Sequence, residues 1–161
     1  MLVAKLLFNR LVSTINAKFM TMDILNFYLM TPLKLPEYIC ISIKDIPDEI
    51  INKYKLRDIA DKNGSVYIEA NRVMYGLPQA GLLANEILEK ILNKRGYQHN
   101  KLVPSFWTHD WRPVQFTLVV DDFRFNYVGE ENALHLKKTI EENYTVTSEW
   151  YVQRYIGITL D

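Results

Sequence analysis

Hydrophobic and polar residues alternate along the chain in patterns that predict short strands separated by amphipathic helices. Helical spacing appears in three segments, at residues 2 to about 14, 82–94 and 130–143. Strand-like runs occupy residues 19–24, 38–43, 66–69, 106–108, 114–120, 125–128, 144–146 and 155–160. This order predicts an α+β fold in which helices pack on one face of a mainly antiparallel sheet.

The same patterns predict which residues of the helices are buried. In the first helix, the apolar stripe includes Val12 and Ile15, and in the segment 82–94 it includes Leu82. A further short helix is expected after Asp45, which would cap it, with Pro47 in its first turn.

Composition is typical of a globular protein and narrows the classes of function only slightly. The chain has 161 residues, 48% of them hydrophobic, and a formal net charge of zero. A zero charge means that any nucleic-acid contact must use a local groove, because phosphate-binding domains are usually basic. Cys40 is the single cysteine, so no disulfide framework is expected and a reducing, intracellular compartment is the default.

The first apolar run predicts neither a secretory signal nor a membrane span. Lys5 and Arg10 interrupt it, and a span needs about 20 consecutive apolar residues. We therefore expect no membrane partner.

Two predicted strands end in acidic residues. The segment 117–123 is an apolar run that ends in Asp121 and Asp122, and the segment 19–24 contains Asp23 near its end. Carboxylates at the tip of a buried strand are costly unless they are neutralised, and a divalent cation does this well. From these residues alone, a plain hairpin turn is the commoner explanation of Asp121 and Asp122, and a strand-end or helix-cap residue explains Asp23 at least as well.

Other chemistry finds little support in the sequence. His99, His109 and His135 lack the spacing of metal ligands. The chain also has no glycine-rich phosphate-binding loop of the P-loop or Rossmann type.

Three segments in order resemble reverse transcriptases of retroelements, and the layout is most similar to LTR retrotransposons of the copia type. They are Met-Asp-Ile-Leu-Asn-Phe-Tyr at 22–28, Tyr-Gly-Leu-Pro-Gln-Ala-Gly at 75–81 and Val-Val-Asp-Asp at 119–122. The resemblance implies an RNA-directed DNA polymerase with a palm-type antiparallel sheet and part of the fingers. It also implies that Asp23, Asp121 and Asp122 are the catalytic acids, which hold two Mg²⁺ ions, with Mn²⁺ as an alternative.

The resemblance implies roles for further residues. Tyr28 would block a ribose 2′-hydroxyl, although a core aromatic beside Phe27 is the alternative. Gln79 would contact the incoming nucleotide, and Gly76 and Pro78 would shape its loop. Tyr155 and Gly157 match, more weakly, the hairpin that grips the primer.

Under this resemblance, residues 1–161 form one partial domain of fingers and palm. Most of the fingers would precede Met1, and the thumb would follow Asp161. The expected partners are an RNA or DNA template with a DNA primer, a deoxynucleoside triphosphate and other parts of a retroelement polyprotein.

Arg124 departs from the family pattern, because an arginine so close to three carboxylates is expected to pair with them and compete with metal. Two alternatives therefore stay open: a non-catalytic α+β domain that binds a nucleic-acid or protein partner, and a metal-dependent nuclease that uses the same acids.

Overall fold

The computed structural model describes residues 2–152, 154–155 and 158–159 and divides into two compact units. The first unit comprises Met1–Phe27 and Pro78–Asp161, and the second comprises Tyr28–Leu77. In chain order the elements are α1 (Leu2–Ser13), β1 (Lys18–Ile24), β2 (Pro32–Ser42), α2 (Asp48–Tyr54), α3 (Leu56–Ile59), β3 (Ser65–Arg72), α4 (Ala80–Lys94), β4 (Tyr97–His99), β5 (Phe106–His109), β6 (Val114–Val119), β7 (Asp122–Tyr127), α5 (Glu130–Glu141), β8 (Val146–Glu149), β9 (Arg154–Tyr155) and β10 (Ile158–Thr159), with short 3-10 helices at Tyr28–Met30 and Ile43–Asp45.

The first unit is built on a six-stranded sheet with the order β4-β5-β6-β7-β1-β8. Every neighbouring pair in this sheet is antiparallel. The predicted α+β class with a mainly antiparallel sheet is thereby confirmed. The patterns for β1, β5 and β6 match the structure closely, whereas β4 was not predicted.

The two faces of this sheet are covered by different helices. On the face of Phe116 and Phe125, the ring of Tyr97 packs against Phe116 and its hydroxyl contacts His135 of α5. Asn126 points to the opposite face, where its side-chain amide donates to the backbone carbonyl of Leu7 in α1 at 3.0 Å. Helix α5 therefore covers one face and α1 lies on the other, so the expectation that the helices pack on one face only was wrong.

The core lies mainly between the sheet and helices α4 and α5. Its fully buried members are large aromatic and aliphatic side chains, which supply most of the hydrophobic stabilisation. They include Met20, Met22, Ile24, Leu88, Leu92, Tyr97, Phe116, Phe123, Phe125 and Leu136.

Three helix-face predictions were wrong in detail. Val12 and Ile15 are 81% and 86% exposed, and Leu82 is 64% exposed. Leu7 of α1 is buried, and the buried residues of α4 are Ala80, Ala84, Leu88 and Leu92. The buried stripes are therefore narrower than the apolar stripes in the sequence.

The second unit is an antiparallel pair of strands, β2 and β3, with the short helices α2 and α3. Ile51, Leu56 and Val66 form its small core. Asp45 does not cap α2 as predicted, because it ends a 3-10 helix and Pro47 directly precedes α2.

No helix in the described part of the chain is long and apolar enough to cross a membrane.

Two histidines and a tyrosine form a half-buried cluster beside α5. The Tyr97 hydroxyl lies 2.8 Å from Nδ1 of His135, and the rings of His109 and His135 are 5.6 Å apart. Burial, followed by the positive charge of Arg112, lowers the pKa of His135. Burial also lowers the pKa of His109, whose Nδ1 accepts from the backbone amides of Trp111 and Arg112.

We expect this cluster to make stability depend on pH. A histidine whose pKa is lower in the folded state stabilises the fold above its unfolded pKa of 6.5, and this contribution is lost as the pH falls. The free energy of unfolding in urea should therefore decrease between pH 7 and pH 5.5. The decrease should be smaller in His135→Gln, whereas Gln98→Ala, on the exposed side of β4, should keep the full slope. An equal slope in all three proteins would contradict this assignment.

Candidate functional site

The register of β1 and β7 places two of the predicted acids directly opposite each other. Asp23 and Asp122 are Cα partners in this antiparallel pair, so their side chains lie on the same face of the sheet. Like charges directly opposite each other destabilise a sheet. This arrangement therefore disfavours a negative charge on both carboxylates at once.

Asp121 lies at the tip of the hairpin between β6 and β7. Val119 and Asp122 are partners, so residues 120–121 form a two-residue turn. The backbone carbonyl of Asp121 accepts from the amide of Ile24 at 3.1 Å, which ties the turn to the end of β1. All three predicted acids therefore belong to one end of the central strands.

The turn itself holds a strained residue. Val120 has φ of +62°, in the left-handed region, and tight hairpin turns normally place glycine or asparagine there. For a β-branched side chain this conformation costs about 1–2 kcal/mol. Strain of this kind is concentrated at functional sites, where the surrounding structure holds the backbone in place.

The electrostatics of the three acids follow from burial and mutual repulsion. Burial raises the pKa of Asp23, and the negative charges of Asp121 and Asp122 raise it further. Burial also raises the pKa of Asp122, while Arg124 acts in the opposite direction. Arg124 forms an ion pair with Asp122, as expected from its position in the sequence.

An open cavity of about 240 Å³ lies beside these acids in the first unit. Strand β8 contributes one wall of it, because Asp23 is the partner of Thr147 and Thr21 is the partner of Glu149. The cavity is lined by Thr21, Met22, Asp23, Asp122, Thr147, Ser148 and Glu149. Glu149 is thus a fourth carboxylate near the site. No sequence pattern indicated it, because only the pairing of β8 with β1 places it there.

The side chains around the cavity meet only part of what a divalent cation requires. Aspartate oxygens that repel one another are suitable ligands for Mg²⁺. Within the described residues, however, no three Asp, Glu, His or Cys side chains converge closely enough to hold a metal ion. The residue types suit a hard cation such as Mg²⁺. In this structure, however, the carboxylate of Asp122 forms an ion pair with Arg124.

The remaining predicted residues are distributed between the two units. Pro78 and Gln79 belong to the first unit, directly before α4, and do not line the cavity. Tyr28 and Gly76 belong to the second unit. There the ring of Tyr28 packs edge-on against Tyr75, with centroids 4.7 Å apart. Gly76 has φ of +94°, which explains the need for glycine.

The two residues matched to the primer-gripping hairpin are at the end of the chain. Tyr155 belongs to β9, which pairs with β10 as a hairpin would. Gly157 lies outside the described residues.

Comparison with known proteins gives one distant likeness. No family model matches the chain, and no curated protein matches it. A solved structure of apo telomerase from Candida tropicalis, truncated from the C-terminal domain, is 13% identical with a TM-score of 0.45. The alignment covers 93% of this chain and 35% of the telomerase chain, so the chain spans about a third of its length. A likeness this distant assigns neither a family nor an activity.

We expect relief of the strain at Val120 to stabilise the protein. Val120→Gly should raise the free energy of unfolding by about 1 kcal/mol, because glycine adopts positive φ without a steric penalty. Val119→Gly is the matched control. It should lower stability, because Val119 ends β6 with ordinary strand backbone and glycine gains more backbone entropy on unfolding than valine does. Chemical denaturation measures both variants, and equal destabilisation would show that the turn stores no strain.

Proposed function

We propose that this chain is a palm-centred portion of an RNA-directed DNA polymerase from a retroelement, similar to copia-type LTR retrotransposons. The observation that carries the proposal is the opposition of Asp23 and Asp122 in one sheet, with Asp121 in the adjoining turn. The order of the three sequence motifs, which resembles that of reverse transcriptases, indicates this class of polymerase. In it, the six-stranded unit is the palm, and the second unit is part of the fingers.

The reaction proposed is the joining of a primer 3′-hydroxyl to a deoxynucleoside triphosphate, directed by an RNA or DNA template. Asp23, Asp121 and Asp122 would hold Mg²⁺, which neutralises the triphosphate and activates the hydroxyl when bound. Other parts of a retroelement polyprotein would be further partners. With a formal net charge of zero, the chain would hold its template through local shape, backbone contacts and stacking.

Residues outside the acidic site are assigned to substrate selection. Tyr28 would exclude a ribose 2′-hydroxyl by steric clash. Gln79 would contact the incoming nucleotide, with Gly76 and Pro78 shaping its loop. Tyr155 and Gly157 would contact the primer strand.

A second candidate function is supported by the ion pair of Arg124 with Asp122. A carboxylate that is already neutralised is a poorer metal ligand, so the same fold would also suit a non-catalytic domain that binds a nucleic-acid or protein partner.

The acids provide the first test of the proposed activity. With an RNA template, a DNA primer, labelled deoxynucleotides and Mg²⁺, the parent protein should extend the primer. Asp121→Asn should reduce extension more than about 100-fold, since altering even the residues that support metal ligands costs about 10- to 100-fold. Asp58→Asn, an exposed acid in α3, should extend normally. Full activity in Asp121→Asn would contradict the mechanism, and an inactive parent protein that binds no Mg²⁺ would favour the non-catalytic candidate.

Tyr28 provides a separate test of sugar selection. Tyr28→Val should increase the use of ribonucleotides relative to deoxynucleotides by roughly 10- to 100-fold, a range typical of steric discrimination. Tyr38→Val, the same substitution at an exposed tyrosine of β2, should leave this ratio unchanged. Single-nucleotide incorporation gives both ratios. An unchanged ratio in Tyr28→Val would remove the tyrosine from this role without affecting the assignment of the acids.

A further inference from the structure

We propose that His109 is a pH-sensitive switch in the turn that connects β5 to β6. Its neutral imidazole holds this turn closed by accepting two backbone amide hydrogens, and protonation of the ring opens the turn. The switch belongs to the first unit and shares no residue with the acidic site. It therefore does not depend on the proposed polymerase function.

The connection between β5 and β6 has few backbone donors, and the ring of His109 accepts most of them. Its last residue is a proline, which has no amide hydrogen. The amide of Asp110 donates to a backbone carbonyl outside the connection at 3.0 Å. The amides of Trp111 and Arg112 both donate to Nδ1 of His109, each at 3.2 Å. The conformation of this turn therefore depends on the lone pair of one imidazole nitrogen.

These two hydrogen bonds require an Nδ1 atom that carries no proton. A neutral imidazole has one acceptor nitrogen, whereas an imidazolium has none. The proton of neutral His109 is therefore on Nε2, which lies so close to Gly96 that a Cβ there would be 3.0 Å from it. Edge-on packing against Tyr97, with centroids 4.7 Å apart, also holds the ring in place. Protonation therefore converts Nδ1 into a donor that meets two other donors.

The preceding connection of the same sheet has the same pattern of hydrogen bonds without a titratable group. Asn100 follows β4, and its Oδ1 accepts from the amides of Leu102 and Val103 at 2.8 and 3.1 Å. In both connections the acceptor bonds to the second and third residues after it. Asparagine is a common acceptor in such turns. An imidazole in the same role makes the turn sensitive to pH, because histidine titrates near neutrality.

Opening of the turn affects Trp111 and Arg112, the two residues whose amides it frees. The side chain of Trp111 is 71% exposed, and the guanidinium carbon of Arg112 lies 4.1 Å from the centre of its ring. Arg112 also donates to Oδ1 of Asn132, in the first turn of α5, at 2.9 Å. The closed turn therefore links the β5–β6 hairpin to the start of α5, and its opening loosens this link.

The surroundings of His109 determine the pH at which the turn opens. Burial lowers the pKa of His109, a hydrogen bond with the backbone of Arg95 raises it, Arg112 lowers it and Asp110 raises it. The titratable and charged groups around this ring and its neighbour His135 are Arg95, Tyr97, Asp110, Arg112 and Glu142. Because the pKa of His109 lies below its usual 6.5, the ring is neutral at pH 7. The turn is closed there and opens as the pH falls through the lowered pKa.

NMR of the full chain tests the switch at the two amides themselves. The protein is titrated from about pH 8 to about pH 5, and exchange of each amide is measured relative to an unstructured amide at the same pH. Protection of the Trp111 and Arg112 amides should fall by about two- to tenfold, the equilibrium effect of one net hydrogen bond, together with titration of the His109 ring. The amides of Leu102 and Val103, which donate to an asparagine, should keep their protection.

Variants of His109 separate the loss of the acceptor from the gain of charge. His109→Asn keeps an acceptor and removes the titration, so both amides should stay protected at either end of the pH range. His109→Phe keeps a ring and removes the acceptor, so both amides should exchange rapidly throughout. His99→Asn, the same substitution at a histidine of the neighbouring strand β4, should keep the pH dependence of the parent.

Four outcomes would overturn the proposal. Constant protection of the Trp111 and Arg112 amides while His109 titrates would show that the turn does not respond to the ring. A pH step that persists in His109→Asn, or that disappears in His135→Gln, would assign the response to another group. An equal fall at the two control amides would show general loss of structure. If either His109 variant does not fold, the titration of the parent with its internal control amides still decides.

Discussion

The antiparallel register of β1 against β7 is the constraint on which the acidic site depends. Apolar side chains fix this register, because Met20, Met22 and Ile24 of β1 are buried with Phe123 and Phe125 of β7. A slip by one residue would turn every one of these side chains to the other face. Burial of the core face therefore also determines that Asp23 and Asp122 lie opposite each other. The repulsion between them is small beside the hydrophobic free energy that holds the register.

Two features at the same end of the sheet reflect the cost of this arrangement. Val120 adopts positive φ in a turn where glycine would be unstrained, and the backbone contact between Asp121 and Ile24 holds that turn against β1. Arg124 offsets part of the repulsion by pairing with Asp122. A fold selected only for stability would relieve both costs with ordinary substitutions, and proteins accept such costs mainly where a site requires them.

The sequence predicted the parts of the fold that depend on local pattern. Alternation located β1 and β6, and the position of Arg124 indicated its pairing with the acids. The pairing of strands that are distant in the chain could not be predicted from the sequence. Nothing in residues 146–149 shows that β8 lies beside β1, so Glu149 was missed. Periodicity also overestimated the buried faces at Val12 and Leu82, because a repeat shows where a helix can pack and not how much of it a neighbour covers. The roles of Asp23, Tyr28 and Gln79 stay predictions.

The local balance of charge, more than the presence of the acids, separates the two candidate functions. Asp23, Asp121, Asp122 and Glu149 bring four carboxylates to this end of the sheet, and Arg124 forms an ion pair with Asp122. Burial opposes the charged forms of Asp23 and Asp122, as the raised pKa of each shows. The Arg124 guanidinium favours the charged form of Asp122, whereas repulsion from Asp121 and Asp122 favours the protonated form of Asp23. The two candidate functions therefore differ in the positive charge that the acids would meet, a metal ion in the polymerase and Arg124 in the non-catalytic domain.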